Sequence, residues 1–187
     1  MFSTQNFNVN EYDQILLQTL NFLQTNWLNP QTGIVACCLV DGNKKAFATS
    51  TKNGDYWRHA ELNAYLEFKK QYATEPSSSA TFVVTLSPCL DDLKHRHEDS
   101  CTHLLNEIGV KRVHFGVLDS MHADSLNRYR QAGLTPSLTN NQYCSQMCEK
   151  LMALFSQYDS RINTDLVGIK EELGESFFAK NQFKIEM

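Results

Sequence analysis

At 187 residues the chain is long enough for one domain with a sizeable core and too short for a second catalytic domain of ordinary size. A formal net charge of −4 and an isoelectric point near 5.8 argue against a general nucleic-acid surface and for a small-molecule partner, because proteins that track phosphates present a basic face. No run reaches membrane-spanning length, the polar first ten residues lack the regions of a signal peptide, and six cysteines in a chain this long make no disulfide framework, so a cytoplasmic protein without a membrane partner is expected.

Helical periodicity through Tyr12, Ile15, Leu16, Leu20, Leu23 and Trp27 predicts a helix over residues 9–28, stopped by Asn29-Pro30. Residues 34–40 and 45–50 read as a hairpin turning at Asp41-Gly42-Asn43. Cys37 and Cys38, adjacent on the first strand, must face opposite sides. A second helix is expected over residues 56–72, then a connector through Ser77-Ser78-Ser79 and an apolar strand over 81–86. Cys101 opens the next helix: Asp99 or Ser100 can cap it, Leu104, Leu105 and Ile108 form its apolar stripe, and Gly109 stops it. A strand over 112–118, a short helix over 126–131, a weak strand over 134–138 and a helix over 143–158 follow. Cys144 and Cys148, four apart on that helix, read as small core residues, with a second metal site as the other reading.

This alternation implies an α/β fold with partly parallel pairing and helices on both faces, a three-layer α/β/α sandwich. The readable domain is residues 1–158, and residues 159–187 are a C-terminal extension whose Phe177, Phe178 and Phe183 are apolar anchors. Packing on the chain's own core is the default for them. A partner subunit or a lid over the site are the other uses.

Within this order, His59-Ala60-Glu61, Ser87-Pro88-Cys89 and Cys101 carry the chemistry. One imidazole and two thiolates hold Zn²⁺ with three protein ligands and leave its fourth position for water, so His59, Cys89 and Cys101 are the expected metal ligands. Glu61 is the expected catalytic residue. A carboxylate beside the metal can take the proton of a water made nucleophilic near pH 7 and pass it to a ring nitrogen and then to a leaving amine. Two residues on a helix diverge by roughly 200°, but side chains at a first turn lean toward the N-terminal end and can converge beyond it. Helix N-termini favour thiolate over thiol, which suits Cys101. A closed structural zinc site is the other reading, with His95, His97 or His103 as fourth ligand.

The pattern is that of zinc deaminases, His-x-Glu with Pro-Cys-x-x-Cys, except that eleven residues separate Cys89 from Cys101. Over Asn29-Pro30-Gln31-Thr32-Gly33-Ile34-Val35, His59-Ala60-Glu61-Leu62-Asn63-Ala64, Thr85-Leu86-Ser87-Pro88-Cys89 and Ile108-Gly109-Val110-Lys111-Arg112-Val113, the chain resembles the cytidine deaminase-like superfamily. Within it, the chain is most similar to the deaminase domain of bacterial riboflavin biosynthesis. That family also has a long segment between the cysteines, although the one here is longer still and lacks its Gly-Arg-Thr-Pro-Pro sequence. Arg128-Tyr129-Arg130-Gln131-Ala132-Gly133-Leu134, with Cys148 ahead of an apolar helix, is similar to the same family's last strand and helix. The resemblance covers about residues 10–158. It implies a mixed, mostly parallel five-stranded sheet, zinc between the two central helices, a homo-oligomer, and no reductase domain, since the roughly thirty residues left over cannot form one.

The resemblance also implies that Asn29 hydrogen-bonds the substrate; a helix C-terminal turn residue before Pro30 is the other reading. Ala60, between the two site residues, and Trp57, which can stack on a ring or pack the rim, are further candidate contacts. Lys94-His95-Arg96-His97 is the densest basic run and is tethered at both ends to proposed ligands. His95, Arg96 and His97 are candidate contacts to an anionic substrate group, with Arg96 suited to bidentate phosphate contact; a solvated loop balanced by Asp91, Asp92, Glu98 and Asp99 is the other reading. The expected function is zinc-dependent hydrolytic deamination of a pyrimidine-like or other nucleobase-derived small molecule, a phosphorylated diaminopyrimidine of the riboflavin type among them. The alternatives are a tRNA adenosine deaminase, which has the short cysteine spacing and a basic face, and a non-catalytic zinc-stabilised interaction protein.

Overall fold

Two apolar runs form the centre of the sheet. β1 (Thr32–Asp41) is almost continuously buried and β4 (Thr81–Leu86) wholly so, as strands covered by helices on both faces must be. The computed structural model describes residues 9–53, 56–90, 100–119 and 125–178. Within them β2 (Lys44–Asn53), β3 (Tyr56–Arg58), β5 (Arg112–Val117) and β6 (Thr135–Leu138) complete a sheet of order β3-β2-β1-β4-β5-β6.

The sheet therefore has six strands, not the expected five, and it is not mostly parallel. β3, β2, β1 and β4 pair antiparallel, whereas β4, β5 and β6 pair parallel. The added strand is β3, in a stretch expected to open the second helix. Its aromatic Tyr56 and Trp57 favour extended backbone and pair with Asn53 and Lys52. α2 (Ala60–Tyr72) starts only after His59, which is extended at φ −68°, ψ 146°. Parallel pairing is confined to the half where α3 (Cys101–Glu107) and α4 (Leu126–Gln131) supply the crossovers it requires.

Strand alternation divides the core in two. Cys38, Val40 and Val83 face α1 (Val9–Thr25) and α5 (Gln142–Tyr158), while Cys37, Leu39, Phe82 and Val84 face α2, α3 and α4. Cys144 and Cys148 lie in the first core, and all six cysteines are buried and in thiol form, with no disulfide. α1 ends at Thr25, short of residue 28, because the Asn26 and Trp27 N–H groups turn to the Leu23 and Gln24 carbonyls at 3.1 Å each, tightening the last turn in the 3-10 manner.

α1 is tied to β5 and β6 by a buried polar group. His114 Nε2 lies 3.0 Å from Asp13 Oδ1 and its Nδ1 lies 2.8 Å from Ser137 Oγ; the Thr139 hydroxyl also donates to Asp13.

Beyond α5 come α6 (Arg161–Thr164), α7 (Leu166–Leu173) and a 3-10 turn, Glu175–Phe177. Ile162, Leu166 and Ile169 join the first core. Phe177 stacks on Trp27 with centroids 5.1 Å apart and planes at 6°, and Phe178 meets the same indole edge-on. The buried Lys170 ammonium donates to the Asn29 and Thr32 carbonyls at 2.8 and 2.7 Å and sits 5.7 Å from the Trp27 centroid. Burial pushes its pKa down to about 8, while the two carbonyls and the indole face favour the charged form. Phe183 lies outside the described residues. Among the described residues no helix is long and apolar enough to cross a membrane.

Candidate metal centre and active site

α2 and α3 open onto the same point. His59 is the N-cap of α2, and its side chain makes no capping hydrogen bond. Cys101 is the first residue of α3, which is capped by Ser100 through its Oγ, accepting from His103 N at 3.0 Å. His59 Nδ1 lies 3.1 Å from Cys101 Sγ and 3.8 Å from Cys89 Sγ, and the three donor atoms all lie within 4.8 Å of one another. The Cys101 N–H donates to Cys89 Sγ at 3.1 Å, and the Thr102 N–H donates to the Cys89 carbonyl at 3.1 Å. The Cys89 turn is thereby laid on the first turn of α3.

These separations suit one tetrahedral ion, since Zn–S bonds of about 2.3 Å and Zn–N bonds of about 2.0–2.1 Å hold neighbouring ligand atoms roughly 3.5–3.8 Å apart. Two sulfurs and an imidazole nitrogen are also the donor types zinc prefers. Burial pushes the Cys101 thiol pKa well above its ordinary value, with Cys89 and Glu61 adding to it; a divalent cation at the cluster reverses that bias and holds the thiolates. His103 is exposed and outside the cluster, so among the described residues the cluster has three ligands. His95, Arg96 and His97 lie outside the described residues.

Glu61 is only 3 % exposed. Burial raises its pKa, the neighbouring His59 lowers it, Cys89 raises it, and a hydrogen bond with Cys101 lowers it. The carboxyl group thus interacts with all three members of the cluster.

A cavity of about 400 Å³ opens on the cluster, within the range of small-molecule sites. Glu61, His59 and Cys89 line it, with Trp57 and Ala60 beside them. Another wall is the start of β1, residues 33–35, with Ser50 of β2. The β1–β2 register shifts between Thr32 and Ala36, a bulge that turns this stretch toward the cavity. Ser50 Oγ fills the bulge, 3.4 Å from both Val35 N and Val35 O. A Cβ on Gly33 would fall 2.0 Å from Ser50 Oγ and 3.1 Å from the Ser50 carbonyl oxygen, so the close approach requires glycine.

Asn29 is exposed on the turn between α1 and β1, where its Oδ1 accepts from Gln31 N at 2.9 Å, and it does not line the cavity. Sequence reasoning misses a further wall: Met152 and Phe155 of α5, with Ile162, Asn163 and Leu166 around α6. Its signal is present, because Ile162, Leu166 and Ile169 recur at helical spacing.

The family described as "Cytidine and deoxycytidylate deaminase zinc-binding region" matches residues 10–117. No curated protein matches the sequence. Among solved structures, the diaminohydroxyphosphoribosylaminopyrimidine deaminase/5-amino-6-(5-phosphoribosylamino)uracil reductase of Thermotoga maritima aligns at TM-score 0.60 and 22% identity, over 82% of this chain and 42% of that one. Acinetobacter baumannii RibD aligns at TM-score 0.58 and 21% identity, over 83% of this chain and 41% of that one. Likeness at these identities concerns the fold. The chain spans about two fifths of the length of each of these two proteins.

Proposed function

The chain belongs to the cytidine and deoxycytidylate deaminase zinc-binding family, and on that premise we propose that it is a zinc-dependent hydrolytic deaminase of an aminated, nucleobase-derived small molecule. The observation that carries this reading is the cluster of His59, Cys89 and Cys101 with the buried carboxyl of Glu61 beside it, opening through His59, Cys89 and Glu61 on a cavity of about 400 Å³. The net reaction replaces a ring-bound amine by oxygen: water adds at the amine-bearing carbon, the C–N bond breaks, and ammonia leaves. Zinc held by His59, Cys89 and Cys101 supplies Lewis-acid activation of that water. Glu61 takes the proton, keeps it where burial favours the protonated carboxyl, and delivers it to the ring nitrogen and then to the departing amine.

Trp57 offers a face for stacking the ring, and the methyl side chain of Ala60 leaves room for it beside His59. Arg96, flanked by His95 and His97, contacts an anionic group where the substrate carries one. A phosphorylated diaminopyrimidine, as in the name of the Thermotoga maritima protein, is the specific candidate. Asn29 serves as a turn residue in this reading, since its side chain is engaged by Gln31.

The test is ammonia release from aminated pyrimidines, purines, their nucleosides and phosphates, and the diaminopyrimidine, run with wild type and Glu61→Gln. At least one substrate should turn over, and the variant should lose about 10²–10⁴-fold in rate with fold and zinc content unchanged. Silence from zinc-loaded wild type would overturn the reading. Loss of zinc from Glu61→Gln would contradict a place outside the coordination sphere, and undiminished zinc in Cys101→Ala would remove that ligand from the assignment.

A further inference from the structure

One wall of the cavity is built by chain beyond the family-matched residues 10–117. Met152, Phe155, Ile162, Asn163 and Leu166 line the same space as Glu61 and Cys89. This wall is held in place from several sides. Ile162 and Leu166 are buried in the first core, and Lys170 on the following helix is fastened to the Asn29 and Thr32 carbonyls at the start of β1. Lys52 of β2 donates to the Asn163 carbonyl at 3.3 Å and lies 5.3 Å from the Trp57 centroid, joining α6 to the β2–β3 side of the cavity.

Two residues of the wall remain open to a ligand. Phe155 is 42 % exposed, a large apolar side chain bordering the cavity rather than filling the core. Asn163 is exposed, and its side-chain amide makes no hydrogen bond among the described residues. An apolar face beside a carboxamide suits a group that is uncharged but hydrogen-bonding: none of the α5–α6 residues lining the cavity is charged, and the neighbouring Lys52 ammonium is engaged by the Asn163 carbonyl and the Trp57 face and is not part of the lining.

We propose that the α5–α6 wall is the specificity-determining surface of this site, with Phe155 and Asn163 contacting the substituent borne by the substrate ring and selecting an uncharged one. A sugar or alkyl substituent fits the wall, and a charge placed directly on the ring's substituent does not. An anionic group farther from the ring lies outside it. The proposal deepens the deaminase reading and rests on it for the kind of ring, but its test does not require turnover.

Of the chain's two tryptophans, Trp57 lines the cavity and Trp27 is buried under Phe177. Quenching of Trp57 fluorescence, absent in Trp57→Phe, therefore reports occupancy. The probes are cytosine and adenine, each as the neutral nucleoside and as the N-carboxymethyl acid. Zinc-loaded wild type should bind at least one nucleoside about 10-fold or more tightly than its acid. Phe155→Ala and Asn163→Ala, both at exposed positions, should each weaken nucleoside binding about 5–10-fold, narrow that discrimination, and leave zinc content and melting temperature unchanged. Asn163→Lys should shift the preference toward the acid. Unchanged discrimination in all three variants, or no saturable quenching by any probe, would overturn the proposal. Ammonia release with wall-independent selectivity would sink the wall and keep the deaminase; wall-dependent binding without ammonia release from any substrate would do the opposite.

Discussion

The Tyr129 phenolic oxygen lies 2.8 Å from Ser87 Oγ and 2.8 Å from the Pro88 carbonyl oxygen, so α4 holds the turn that presents Cys89 to the metal cluster. Ser87 Oγ also accepts from Asp119 N at 2.8 Å, and Ser87 N donates to the Val117 carbonyl at 3.0 Å. Burial pushes the Tyr129 pKa up to about 12, which keeps its proton in place at working pH. Tyr129→Phe retains the ring packed on Phe115 and removes only the hydroxyl. It should lower stability by about 1–3 kcal/mol through the buried partners left unpaired, and lower zinc affinity about 10–100-fold through the lost orientation of the ligand turn. Competition with a chromogenic chelator checks the second effect; wild-type affinity would mean that β4 and α3 alone hold Cys89.

Gly33 and Ser50 meet at the β1 bulge with no room for a methyl group. Gly33→Ala should therefore displace Ser50 and lower stability by about 1–3 kcal/mol, the range for forcing extra volume into a packed site. Because the bulge is a cavity wall, ligand binding should weaken as well, with zinc content unchanged. Urea denaturation and zinc analysis together check this, and a variant as stable as wild type would show that the bulge can relax.

α2 ends on Ala73 in the left-handed region, at φ 52°, ψ 32°, where its N–H reaches the Lys69 carbonyl at 2.9 Å. A Cβ is disfavoured in that conformation. Ala73→Gly should raise stability by about 0.5–1 kcal/mol, the relief of strain exceeding the added flexibility of the unfolded chain. The position is remote from the site, so activity should not change. A lower urea midpoint would contradict the cap assignment.

His114 is fully buried between Asp13 and Ser137. Burial lowers its pKa from the ordinary 6.5, and Asp13 opposes the shift without cancelling it. The contact is therefore a hydrogen bond from a neutral imidazole. Because the folded chain binds this proton less readily than the unfolded chain, the stabilisation is complete above pH 6.5 and is lost as pH falls from there through the lower folded-state pKa. Urea midpoints should decline between pH 7.5 and pH 5, and His114→Asn should decline less steeply. Equal slopes for the two proteins would place the titration elsewhere.

The metal cluster is legible because its chemistry demands rare residue types in order, and His59, Cys89 and Cys101 carry that order whatever the loop lengths between them. The helices α1 and α5 are legible because each has one apolar face. β3 is not: Tyr56 and Trp57 sit directly before a helix start, and three residues are too few to show a strand period. Its pairing with β2 is a long-range choice that local propensity does not reveal. The β1 bulge is hidden because Gly33 reads as a turn residue until Ser50 is seen opposite it. Phe155 and Asn163 belong to no motif, and only the α5–α6 turn brings them to the cavity.

Lys170 and Thr32 are 138 positions apart in the chain. The entropy of closing so long a loop rises only slowly with its length, but contacts of such separation form late. A chain made from its N-terminus has its zinc ligands and central strands in hand while α7 is still unmade. Until Lys170 emerges and fastens onto Thr32, that wall of the cavity lacks its tie to β1. The three-ligand cluster can thus assemble before the cavity beside it is walled in.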